Sequence, residues 1–263
     1  MQPGFDIADH TAPDLAALRA EMARLERRAG AGRRRQPISL GLTCVDAMLP
    51  GGGITTGALH EIAGSGAQVE HGSAAALLAA ALLARVPGEV LWVLERRDLH
   101  PPALAAVGLT PDRIVYVHAG KPRTVLLVME EGLRHGGLAG VVGEFSGALS
   151  LTASRRLQLA AEHSGVTAFL LRRRRRCDDP ALLAPSAAVM RWCVATVPSP
   201  PPLAHAPETP GLGRPHWRLE LVRCRGGETH TWIVEAFDAT GRCRLVDDLA
   251  DRPAATAPRR AAA

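Results

Sequence analysis

Between residues 58 and 171 of this 263-residue chain, short apolar segments alternate with helical ones, and that alternation restricts the fold more than any other feature. The apolar segments are 58–63 (ALHEIA), 89–94 (EVLWVL), 113–117 (RIVYV), 140–144 (GVVGE) and 166–171 (VTAFLL). Each has the length of a strand and is apolar enough to be covered on both sides. The stretches between them read as helices. An Ala/Leu helix is expected over 74–86, with Ser73 placed to cap it. A short helix opens at Pro101 and is stopped by Gly108. Two more are expected at 122–135 and 151–163. Strands alternating with helices build a doubly wound α/β fold, a mostly parallel sheet with helices on both faces. After 171 the pattern changes. Residues 187–197 and 216–236 read as longer β segments with no helix between them, an antiparallel β extension at the C-terminal side. Seven prolines from Pro198 to Pro215 make the intervening stretch an exposed loop.

In such a fold, ligands bind beyond the carboxyl ends of the strands. The first loop there runs from Gly64 to Ser73 (GSGAQVEHGS), between a strand and a helix. A phosphate loop needs backbone N–H groups, a lysine for the β- and γ-phosphates and a hydroxyl for magnesium, spaced GxxxxGK[ST]. Here Gly64, Gly66 and Gly72 are present, but Gly72 is followed by Ser73 and Ala74, and Glu70 repels phosphate. The expectation is a vestigial phosphate loop that keeps at most some anion affinity. Glu144, closing segment 140–144, stands where a magnesium-binding acid would sit, and Glu95-Arg96-Arg97-Asp98 forms a charged edge of the same crevice. No catalytic residue and no cofactor are assigned, with residual nucleotide binding left open. The ten histidines show no HExxH or HxxxH pair, so no metal site is expected. Five cysteines, an odd number without CxxC spacing, suit reduced thiols in a cytoplasmic protein.

The net charge of +5 has a local origin. Runs at Arg33–Arg35 and Arg172–Arg176 hold eight positive charges, and without them the balance becomes −3. A patch of this kind meets phosphate or an acidic partner, or is simply solvated. Aromatics make up only 3% of the chain and none lies inside either run, so any single-stranded DNA contact would lack stacking platforms. Residues 13–29 read as an amphipathic helix with Leu15, Leu18, Met22 and Leu25 on one face. With the Arg-rich linker it makes an appendage over 1–36, ahead of a main domain over 37–248 and a disordered tail over 249–263. The longest apolar run, Ala74 to Ala84, is far short of the ~20 residues that span a bilayer. The N-terminus has neither the basic start nor the apolar stretch of a secretion signal.

Residues 38 to about 150 resemble the core of RecA-type recombinases. ISLGLTCVDAMLPGGGITTGALHEIAG is similar to the entry segment of that family, LERRDLHPPALAAVGL to the stretch after the next strand, and GLAGVVGEFSGAL to the strand with the second ATP-binding acid. Three departures stand out. The loop lysine is missing, Arg96 occupies the place of the catalytic glutamate with Glu95 one residue off, and the strand acid is Glu144 rather than aspartate. A closer resemblance covers nearly the whole chain. LPGGGITTGALHEIAG, LTASRRLQLAAEHSGVTAFLLR, MRWCVA and GLGRPHWRLELVRCRGG are together similar to the ImuA family, RecA-like accessory proteins of damage-inducible mutagenesis in bacteria.

That resemblance implies a non-catalytic scaffold of the SOS mutasome that supports error-prone translesion synthesis through RecA, ImuB and an error-prone replicative-type polymerase. Leu15, Leu18, Met22 and Leu25 would dock on RecA or on a second copy, or pack on their own domain. Arg172, Arg173, Arg174, Arg175 and Arg176 would meet single-stranded DNA or an acidic surface. Trp217 with Arg214 and Arg218 would form a partner anchor, or Trp217 would be a core strand residue. Two other functions fit the same motifs: a RecA-like DNA-dependent ATPase with a divergent phosphate loop, and an SOS-induced cell-division inhibitor.

Overall fold

The computed structural model describes residues 36–66, 68–173, 184–203, 205–211 and 213–246. The expected helix with Leu15, Leu18, Met22 and Leu25, residues Arg174–Arg176 and the tail after 249 lie outside the described residues.

A short helix, α1 (Thr43–Asp46), precedes strand β1 (Leu59–Gly64). The alternation then runs α2 (Gln68–Ala84), β2 (Val90–Leu94), α3 (Pro101–Ala105), β3 (Ile114–His118) and α4 (Pro122–Leu133). It continues with β4 (Gly140–Phe145), α5 (Leu151–Ser164) and β5 (Thr167–Arg172). Strands β6 (Met190–Val197), β7 (His216–Cys224), β8 (His230–Glu235) and β9 (Arg244–Leu245) follow with no helix between them among the described residues. All nine strands join one sheet in the order β3-β2-β4-β5-β1-β6-β7-β8-β9. The pairs from β3 to β6 are parallel, and those from β6 to β9 are antiparallel. The fold is therefore α/β with a mostly parallel sheet and an antiparallel C-terminal part.

The central strands β1, β4 and β5 are buried along their whole length, which is why their sequences show no polar alternation. One core lies under α2, where Leu78, Leu82 and Leu83 meet Trp92, Phe169 and Trp192. The other lies under α4 and α5, where Val125, Met129, Leu133 and Leu157 meet Leu91, Val141 and Leu170. Close packing fixes Gly143: a Cβ there would stand 2.0 Å from the Met129 sulfur. Helix α5 is bounded as its sequence suggests. Ser150 Oγ accepts from Ala153 N at 3.1 Å, and Gly165 closes the helix at φ 75°. No helix among the described residues is long and apolar enough to cross a membrane.

His60 is a polar residue inside the first core. It is fully buried, its ring lies against Phe169, and its Nε2 faces the Thr55 carbonyl at 2.7 Å. Burial holds its pKa down to about 4. The unfolded chain takes up that proton near pH 6.5 and the folded chain only near 4. Stability is thus intact above pH 6.5 and lost as pH falls toward 4, by about 3 kcal/mol in all. Urea unfolding at pH 7.5 and 4.5 checks this. The midpoint should fall at the lower pH, and His60→Phe, which keeps the apolar shape, should flatten the dependence.

Candidate functional site

The carboxyl ends of β1, β2, β4 and β5 open on a cleft of about 780 Å³. Its floor is apolar, from Ile62, Leu77, Leu104 and Leu171. Its rim is charged, from Arg96, Asp98, His100, Glu144 and Arg173. This is where the parallel order places a ligand.

One end of the cleft meets the expected phosphate loop, which takes a different form. Strand β1 ends at Gly64 and α2 begins at Gln68, so the connection is only Ser65, Gly66 and Ala67. Gly72 and Ser73 lie in the second turn of α2. Their N–H groups have partners four residues back in the helix, so they are not free for phosphate. Ser73 is correspondingly not a cap. The His71 side chain fills the space against the glycines. A Cβ on Gly66 would lie 2.9 Å from His71 Cδ2, and one on Gly64 would lie 3.0 Å from the His71 carbonyl carbon. His71 Nδ1 accepts from Thr196 N at 3.2 Å and meets Thr196 Oγ1 at 2.9 Å, which ties α2 to β6. Gly66 thus leaves room for the His71 imidazole, and Gly64 for the His71 backbone.

The other end holds the acids. Glu144 is buried and accepts from Trp92 Nε1 at 3.1 Å. Arg173, just past the end of β5, donates to Glu144 at 2.7 Å and forks onto both oxygens of Asp98 at 2.8 and 2.6 Å. Burial pushes the Glu144 pKa up, against the opposing pull of Trp92 and Arg173. The hydrogen bonds from Arg173 hold Asp98 below its ordinary value. Arg173 itself is raised, first by Asp98 and then by Glu144 against its own burial. Glu95 is buried and accepts from Ser146 N at 2.7 Å and Ser146 Oγ at 2.5 Å. Arg96 is exposed on the rim. The acid expected to hold magnesium is thus held by an arginine of the same chain.

Two curated relatives, each named Protein ImuA, come from two strains of Caulobacter vibrioides. Each is 39% identical over 231 residues, an alignment that spans 84% of this chain and 93% of the relative. The chain belongs to the ImuA family. No family model matches it.

In this ImuA-family chain the arginine run does not act as one patch. Neighbours along a strand point to opposite faces. The Arg173 side chain pairs with the cleft acids Glu144 and Asp98, whereas the Arg172 guanidinium turns to the α5 side and the residue is 4% exposed. There it meets the buried Glu61 at 3.4 Å and donates to the Gly147 carbonyl at 3.3 Å. Its guanidinium also stands over the Phe145 ring, 5.4 Å from the centroid. Arg191 approaches Glu61 at 3.2 Å, and Ser186 Oγ donates to the same carboxylate. Arg172 is therefore an internal cation and not a contact for DNA or a partner, which corrects the reading of an exposed five-arginine run.

Of the two readings of Trp217, the structure shows the core strand residue and not the anchor with Arg214 and Arg218. Trp217 is 2% exposed and packs on Phe237, on the face that carries Leu219 and Leu221. Arg218, one residue on, points the other way, where its Nε lies 2.5 Å from Glu220 and its far end reaches Ser65 Oγ at 3.4 Å. Arg214 pairs with Glu235 at 3.3 Å and Asp238 at 3.4 Å. A charge in the middle of an apolar strand was the available signal for Glu61, since such a residue needs a buried partner. Nothing local marks His71, whose partner Thr196 is 125 residues away.

The ImuA-family cleft generates a direct test. Removing a single member of a buried ion pair strands the other. Arg173→Met should cost about 3 kcal/mol in urea unfolding. Adding Glu144→Gln should restore more than half of it, because the amide oxygen still accepts from Trp92. Two simply additive losses would contradict the coupling.

Proposed function

We propose that the protein is a non-catalytic, RecA-like accessory protein of the damage-inducible mutagenesis system. Membership of the ImuA family supports a place in that system. The single observation that carries the non-catalytic part is that the cleft's buried acid, Glu144, is held by Arg173 of the same chain, while His71 packs at the glycine turn beside it. A phosphate chain with its magnesium needs both positions free. In this reading the α/β core is a scaffold, and error-prone translesion synthesis is supported through contacts with RecA, ImuB and an error-prone polymerase. Residues 1–36 are the proposed docking appendage.

A second reading, a RecA-like DNA-dependent ATPase, draws on the open cleft of about 780 Å³, a volume that suits a small ligand. Hydrolysis of radiolabelled ATP, with and without single-stranded DNA, separates the two. The scaffold reading expects background turnover in both conditions. DNA-stimulated turnover that Glu144→Gln abolishes would establish the ATPase. Pairwise capture of RecA, ImuB and the polymerase by the full chain tests the contacts. Leu18→Asp with Leu25→Asp should abolish RecA capture, and retained capture would remove that surface.

A further inference from the structure

The ladder between β6 and β7 contains an irregularity with a chemical result. Trp192 pairs with Leu221, so a regular antiparallel register would set Arg191 opposite Val222. The register shifts there, and Arg191 pairs with Arg223 instead. Val222 becomes the extra residue of a β-bulge and is 45% exposed. Bulges re-aim side chains, and this one turns Arg223 onto the face that carries Arg191. Like charges directly opposite on adjacent strands destabilise a sheet. Arg191 is relieved by Glu61 at 3.2 Å. Arg223 donates to the Ser186 carbonyl at 2.7 Å, and Arg225 to the Ala187 carbonyl at 3.0 Å. Neither meets a carboxylate among the described residues. Four guanidiniums (Arg172, Arg191, Arg223 and Arg225) therefore surround one buried carboxylate and one short backbone segment, 184–187. The acids nearest in sequence on the β7–β8 hairpin are Glu220, which pairs with Arg218, and Glu228, which is exposed in the following turn.

We infer that Arg223 and Arg225, set by the bulge and backed by Arg191, form a docking surface for an extended acidic polypeptide segment. Arg223 lies on β7 and Arg225 in the turn that follows, and they hold the adjacent carbonyls of Ser186 and Ala187. Acidic side chains at alternate positions of an extended chain repeat at about 6.8 Å, so two carboxylates of one such segment can meet the two guanidiniums. Each guanidinium is already tethered to a backbone carbonyl, which lowers the ordering cost of binding. Trp232, the aromatic of β8, pairs with Leu219 and packs against Trp192 on the other face, so among the described residues β8 offers no ring for stacking nucleobases on this side. That favours carboxylates over single-stranded DNA. The surface is separate from the cleft. It rests on the scaffold reading for its purpose, but its test reads binding alone and is indifferent to ATP turnover.

The test uses the full chain and three labelled probes in fluorescence anisotropy: a ten-residue Glu-Ser repeat, its Gln-Ser counterpart and oligo-dT. The Glu-Ser peptide should bind, weaken steeply with salt, and outcompete the Gln-Ser peptide. The double variant Arg223→Gln with Arg225→Gln should reduce its affinity about tenfold or more. Unchanged circular dichroism and urea midpoint would show that the variant is folded, and Arg223→Lys with Arg225→Lys should recover part of the binding. An unchanged affinity in the folded double Gln variant would overturn the inference. So would oligo-dT binding more tightly than the peptide through the same two arginines, which would make this a nucleic-acid surface. A protein inactive in ATP hydrolysis that still binds the peptide leaves the inference intact. A protein that binds no acidic probe sinks the inference and leaves the scaffold reading standing.

Discussion

A guanidinium just past the end of β5 holds two carboxylates that would otherwise repel each other across a partly dry cleft. Arg173 spans Glu144, on the neighbouring strand β4, and Asp98, beyond β2, so it ties three crossovers of the parallel sheet at their carboxyl ends. Burial alone would drive Glu144 toward its neutral form, and the arginine with the Trp92 N–H opposes that. The charge is kept inside the molecule at the expense of its availability to a metal. A magnesium ion at Glu144 would have to displace a forked, partly buried arginine, which costs more than displacing water.

The same strand end uses its two faces differently. Arg173 serves the cleft, while Arg172 serves Glu61 on the α5 side, together with Arg191 from β6. One dipeptide therefore links the charges of both layers of the fold. At 184–187, Arg191, Arg223 and Arg225 hold the carbonyls of Ala184, Ser186 and Ala187. Where a recombinase-like loop would hold phosphate, this chain packs an imidazole against glycine and joins α2 to β6. Both contacts are internal to the chain. They are the physical basis for proposing that the core acts by contact and not by turnover.

The strands and most helices were legible because buried parallel strands and capped helices leave period and punctuation in the sequence. The apolar segments coincide with β1 to β5 to within a residue or two. The start of α2 was misplaced because Ser73 has the chemistry of a cap, and nothing in the pattern shows that His71 anchors the helix a turn earlier. Trp217 and Arg218 are adjacent in sequence yet face opposite sides of the sheet, and so do Arg172 and Arg173, because sequence adjacency does not display strand alternation. Glu144 stands out in the sequence by its place at a strand end, but its partner stands 29 residues away, and pairing at that range follows from strand order, which the sequence does not print. The bulge at Val222 is equally silent, since one extra residue in a β segment leaves the apolar pattern nearly unchanged.

Calorimetric titration of the full chain with ATP, with and without magnesium, addresses the central claim most directly. If His71 and Arg173 fill the phosphate and metal positions, magnesium leaves the heat unchanged and no magnesium-dependent binding is seen at millimolar nucleotide. Magnesium-dependent binding that Glu144→Gln removes would contradict the claim, because it would require Arg173 to yield the acid to the metal.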